Sequence, residues 1–123
     1  MMNSDIYQKI FDELDKYLIK GWKKLIVYLE YGKASYSFSF YEQIDDNYIK
    51  CYEIPEVSDE DLDKSFRKID DIVSKERKTE KDIWTNMTMV IDSSGKMKTD
   101  FDYTDLSAGT YQYKKNWKTK YLV

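Results

Sequence analysis

The pattern that most constrains this chain runs from Ile83 to Tyr103. Met87, Met89 and Ile91 alternate with Asn86, Thr88 and Val90. After Asp92-Ser93-Ser94-Gly95, Met97, Thr99, Phe101 and Tyr103 alternate with Lys98, Asp100, Asp102 and Thr104. A period of two gives a strand one apolar face and one mostly wet face. Gly95 supplies the positive φ that a turn between two such strands needs. The stretch predicts a β-hairpin whose apolar side joins the core and whose other side displays Asp100 and Asp102.

Elements on either side of the hairpin follow from the same kind of reading. Ile6, Ile10, Leu14 and Leu18 recur every four residues, with Tyr7 and Phe11 widening the stripe. This predicts a helix over about residues 5–20, capped by Ser4 and stopped by Gly21. From Trp22 the period changes. Leu25, Val27, Leu29 and Tyr31 fall on one side, opposite Ile26, Tyr28 and Glu30. After Gly32-Lys33, the aromatics Tyr36, Phe38 and Phe40 alternate with Ser35, Ser37 and Ser39. Asp45-Asp46-Asn47 turns the chain into a third strand, Tyr48 to Glu53, with Cys51 half-buried on it. Pro55 ends that meander. Ser58 and three acids then start a second helix, whose inward stripe is Leu62, Phe66, Ile69 and Val73. Tyr111, Trp117 and Tyr121 have helical spacing, which predicts a short C-terminal helix with Ser107 as cap and lysines facing solvent. The order α-β-β-β-α-β-β-α implies an α+β fold with a mainly antiparallel, five-stranded sheet. A length of 123 residues fits one domain spanning 1–123.

Composition narrows the chemistry. The chain has no histidine and one cysteine. Cys/His zinc sites and Ser-His-Asp or Cys-His nucleophiles are therefore excluded, and no internal disulfide can form. The glycines at 21, 32, 95 and 109 make no phosphate loop, so no cofactor is expected. No apolar run reaches the roughly 20 residues of a membrane span, and MMNSDIYQKI lacks the pattern of a secretory signal. A cytoplasmic protein with no membrane partner is the expectation.

Charge is uneven. Residues 106–123 carry four lysines and no acid; the whole chain carries −3, so residues 1–105 carry −7. Four lysines on an acidic chain are a weak case for direct nucleic-acid binding. Asp100 and Asp102 share one strand face, with Asp105 beyond and Asp92 at the turn. Such acids are able to hold Mg²⁺ or to act as an acid–base pair, but the pattern is common on exposed strands. Binding fits better. Acids beside tyrosines, of which the chain has twelve, suit a cationic protein partner. Nucleases, with positive substrate grooves, are a natural class of target. The candidate contact residues are Asp100, Asp102, Tyr103 and Asp105, extended by Asp45 and Asp46.

Several short motifs also carry a resemblance. These are the first helix leading into Trp22-Lys23-Lys24, the strand Tyr36-Ser37-Phe38-Ser39-Phe40-Tyr41, and Trp84 with Gly95-Lys96-Met97-Lys98 and Phe101-Asp102-Tyr103. The ending Trp117-Lys118-Thr119-Lys120-Tyr121-Leu122 adds to them. With these motifs the chain resembles the YezG-like antitoxin family. That family includes staphylococcal tandem proteins and immunity proteins of polymorphic-toxin and contact-dependent inhibition systems. The resemblance implies a non-catalytic immunity protein that binds and blocks the C-terminal toxic domain of a cognate effector, often a nuclease; a monomer in a 1:1 complex is the expected form of that binding. It offers no catalytic motif to carry over, and its shared aromatic positions look like fold determinants rather than toxin contacts. Two alternatives stay open: a non-inhibitory adaptor or secretion chaperone, and a carboxylate-based hydrolase.

Overall fold

The computed structural model describes residues 4–123. Its elements are α1 (Ser4–Leu14), β1 (Trp22–Tyr31), β2 (Tyr36–Ile44), β3 (Asn47–Lys50), α2 (Asp59–Arg77), β4 (Asn86–Asp92), β5 (Met97–Asp102) and α3 (Tyr111–Tyr121). Short 3₁₀ turns follow α1 and β3, at Asp15–Tyr17 and Cys51–Glu53. The sheet is antiparallel throughout, in the order β3-β2-β1-β4-β5. This is the α+β order read from the sequence.

Two apolar clusters lie on opposite faces of the sheet. The larger joins Leu25, Val27 and Leu29 of β1, Phe38 and Phe40 of β2, and Met87, Met89 and Ile91 of β4 to α1 and α2. From the helices come Ile6, Ile10 and Leu14, and Leu62, Phe66, Ile69 and Val73. The smaller gathers Ile26, Tyr28 and Tyr41 around Trp117 of α3. Strand alternation decides this split, because successive side chains leave opposite faces.

The β4–β5 hairpin forms, with Gly95 at φ 95°. The apolar side of its second strand joins the core only through Phe101, because β5 is an edge strand and leaves Met97 and the following Tyr103 exposed. The Asp92 carboxylate fastens the turn by accepting from the Ser94 and Lys96 N–H groups and the Ser94 hydroxyl. Ser58 caps α2 by accepting from the Asp61 N–H at 3.1 Å. Asp45 takes φ 54° in the β2–β3 turn.

Four further local expectations need correction. Ser4 already lies within α1 and does not cap it, and the helix ends at Leu14, well short of Gly21. There the backbone tightens so that Tyr17 turns inward. Its ring stacks on Phe40 at 6.0 Å and its hydroxyl bonds the Asp61 carbonyl and Ser65 of α2. β3 stops at Lys50, and Cys51 is fully buried in a 3₁₀ turn instead of half-buried on a strand. The hairpin strands begin only at Asn86; Thr85 still bonds Asp102 and Tyr31 through its backbone, while Trp84 before it is held by the end of α2. Arg77 donates to the Trp84 carbonyl at 2.7 Å and stacks over the rings of Tyr31 and Trp84. Finally, Ser107 does not cap α3. Thr110 holds that position, and the Ser107 N–H donates instead to Asp105.

Candidate functional site

The face under α3 holds the acids singled out from the sequence. Strand register lines up Glu30, Asn86 and Asp102 in one row, and Tyr28, Thr88 and Asp100 in the next. These rows are polar where the opposite face is apolar. α3 sits on them through its aromatic residues. Trp117 is buried against Tyr28 and Tyr41, ring centroids 5.0 and 5.7 Å away, and its indole N–H donates to the Thr88 hydroxyl at 2.8 Å. Tyr113 donates to Asn86 at 3.0 Å and Tyr121 to Asp100 at 2.6 Å. Within the sheet, Tyr28 donates to Glu30 at 2.7 Å.

The acids are therefore half-covered and do not stand on an open ridge. Asp100 and Asp102 line a groove of about 330 Å³ with Thr88, Tyr113, Tyr121 and Lys120. Asp102 accepts from both the N–H and the hydroxyl of Thr104. Burial pushes its carboxyl up, but these bonds and the nearby Tyr113 hydroxyl outweigh that and hold it below the usual aspartate range. Burial raises the Tyr113 phenol to about 12, with Asp102 adding to the shift. Burial likewise raises Tyr121, reinforced by its bond to Asp100. Both phenols thus stay protonated at neutral pH, and the groove displays fixed negative charge beside neutral donors.

The remaining candidates separate in space. Tyr103 is 55% exposed, next to Asp102. Asp105 lies just past the end of β5, its carboxylate held low chiefly by bonds from Ser107. Asp45 and Asp46 are exposed, but their turn belongs to the β3 edge of the sheet while β5 forms the other edge. The register also puts that turn at the end of the sheet away from Asp102. At about 4.8 Å per strand, this sets the two acidic sites on the order of 15–20 Å apart across the sheet alone. Among the described residues, no group of three or more metal-capable side chains converges, and no helix is long and apolar enough to cross a membrane.

The family model described as "Immunity protein YezG-like" matches residues 3–123. This chain belongs to the YezG-like immunity protein family. Similar curated proteins include Immunity protein YezG of Bacillus subtilis (strain 168), 27% identical over 113 residues, covering 85% of this chain and 75% of the relative. Immunity protein YezG of Bacillus spizizenii is 26% identical over 116 residues, covering 85% and 70%.

Within this YezG-like chain, three site features escape a reading of the sequence. Thr88 and Asn86 look like ordinary outward residues of an alternating strand, and nothing local pairs them with Trp117 and Tyr113. Glu30 joins the acidic face only through strand register. Glu42 is the third, and here a signal existed. It continues the inward phase of Tyr36, Phe38 and Phe40, so period two already places a carboxyl in the core. Glu42 is fully buried. One oxygen accepts from the Ile19 N–H at 2.8 Å, while the other has no hydrogen-bond partner among the described residues. Burial raises its pKa against that single bond.

Proposed function

We propose that this immunity protein neutralises the C-terminal nuclease domain of a cognate bacterial toxin in the cytoplasm. In this reading, residues 1–123 act as one domain, a monomer in a 1:1 complex, and no catalysis by this chain is involved. The observation that carries the nuclease reading is the groove holding Asp100 and Asp102, with neutral tyrosine donors around them. A nuclease presents cationic side chains where it grips phosphates. Carboxylates already held in place lose little side-chain freedom on meeting them, so ordering costs less than for free surface acids. Tyr103 and Asp105 border the groove and extend the contact. Asp45 and Asp46, at the other sheet edge, would touch the toxin only if it reaches around the sheet.

The test is an Asp100→Ala/Asp102→Ala double variant, assayed for binding to the cognate toxin domain and for protection of cells. Removing one partner of a buried interfacial charge pair costs roughly 2–5 kcal/mol, so binding should weaken by at least about 30-fold. Tyr121→Phe is the control, since it removes the donor to Asp100 but keeps both charges. Full protection and unchanged binding by the double variant would remove the acidic groove from the interface.

A further inference from the structure

α3 divides its face of the sheet into two grooves of opposite character. On the β5 side lie Asp100 and Asp102. On the side toward β2 and β3 a larger groove of about 530 Å³ is lined by Lys50, Lys114, Lys115 and Lys118, with Tyr41 and Tyr111 among its walls. No acidic side chain lines it. None of these four lysines makes an ion pair among the described residues, although Lys16 in the turn after α1 and Lys64 and Lys68 of α2 do so. Like charges one turn apart, as Lys114 and Lys118 are, disfavour an isolated helix by a few tenths of a kcal/mol. Tyr111 adds a ring that is 81% exposed at the groove. Unpaired cations over an aromatic floor, with a bare ring beside them, form a recognition surface for negative charge.

We propose that this groove seats an extended acidic segment of the protein partner. The proposal rests on the reading that the partner is a protein, and it assigns that partner a second contact. Spacing favours a peptide strand. Lys114 and Lys118 are four residues apart on a helix, about 6 Å along its axis. Alternate side chains of an extended strand lie roughly 6.6 Å apart on one face. A segment with acids at every second position would thus meet successive lysines, with Lys50 flanking from the sheet. The occupant is a short polypeptide rather than a nucleic acid because the cationic strip is local. Residues 1–105 carry −7 against the +4 of the C-terminal stretch, so a phosphate backbone leaving the groove enters a repulsive field. The two grooves together would make the face a dipole and set the orientation in which a partner docks.

The probe is a fluorescein-labelled ten-residue peptide alternating Glu and Ser, titrated by anisotropy against the full chain. A Lys/Ser peptide and a labelled ten-nucleotide oligothymidylate serve as comparisons. The Glu/Ser peptide should bind, weaken as salt rises, and lose at least about tenfold in affinity with Lys114→Glu/Lys118→Glu. Lys114→Ala/Lys118→Ala should lose affinity in the same direction, which covers the case in which charge reversal disturbs α3. Lys96→Glu, a cation removed from the hairpin turn, should leave binding unchanged. Absence of peptide binding, equal loss with Lys96→Glu, or tighter binding of the oligonucleotide would each overturn the proposal. Asp100→Ala/Asp102→Ala should not weaken peptide binding, so failure here is distinct from failure of the nuclease reading, which is tested on the toxin domain.

Discussion

Replacing Trp117 with alanine should detach α3 and leave the rest of the fold standing. Trp117 is the one buried residue of α3. An indole buries about 150–250 Å², and truncating a buried Trp costs about 3–5 kcal/mol. The bond to Thr88 adds about 1 kcal/mol to what is lost. What remains to hold the helix is Tyr113 on Asn86, Tyr121 on Asp100 and Tyr48 on the Val123 carbonyl. These bonds net roughly 0.5–1.5 kcal/mol each, somewhat more for the charged acceptor. An eleven-residue helix is marginal in water by itself, and α3 has no acid to pair with its lysines. Loss of the indole therefore exceeds what the tyrosines supply. The main core is on the other sheet face and draws nothing from α3. Hydrogen exchange followed by mass spectrometry reads this directly. In Trp117→Ala, amides of residues 111–121 should approach the exchange of an unstructured peptide, while β1 and β4 stay protected. If α3 kept wild-type protection, or if β1 and β4 lost theirs in step, the two-face description of the energetics would be wrong.

Other expectations follow from single residues. Glu42 has a folded-state pKa above its unfolded value, so folding favours its protonated form. The contribution is fully present below about pH 4 and is lost as pH rises through the raised pKa. Urea midpoints from pH 4 to 8 should show wild type losing stability relative to Glu42→Gln as pH increases, and a pH-independent difference would refute the unpaired buried carboxyl. Gly95→Ala meets no atom within 4 Å but must adopt φ 95°. It should cost about 1–2 kcal/mol from backbone strain alone, measured by urea unfolding, and a neutral result would mean the turn relaxes.

Much of this architecture was legible in the sequence because it is governed by local rules. The period-two runs gave the correct inward residues on β1, β2 and β4, since side-chain alternation is a property of the extended chain itself. On β5, however, Phe101 packs against the core while Met97 and, just past the strand, Tyr103 are exposed. Ser58 with its acids marked a helix start because the cap bond spans three residues. Boundaries failed where distant groups took over. Tyr17 leaves the helical path to reach Ser65, and Trp84 is held by Arg77 of α2 instead of extending the hairpin.

The site was only half legible, and the reason is register. Its residue types, acids beside tyrosines and lysines gathered near the C-terminus, are properties of the sequence alone, as is the absence of histidine chemistry. Which acids stand together is not, because Glu30, Asp100 and Asp102 become neighbours through β1–β4–β5 pairing, while the same pairing sends Asp45 and Asp46 to the opposite edge. Nor does helical spacing say which sheet face α3 covers. That choice was made by Trp117 finding Thr88, Tyr28 and Tyr41, and it turned a wet strand face into two grooves of opposite charge. Local periodicity assigns a residue to a face, and only packing determines what that face meets.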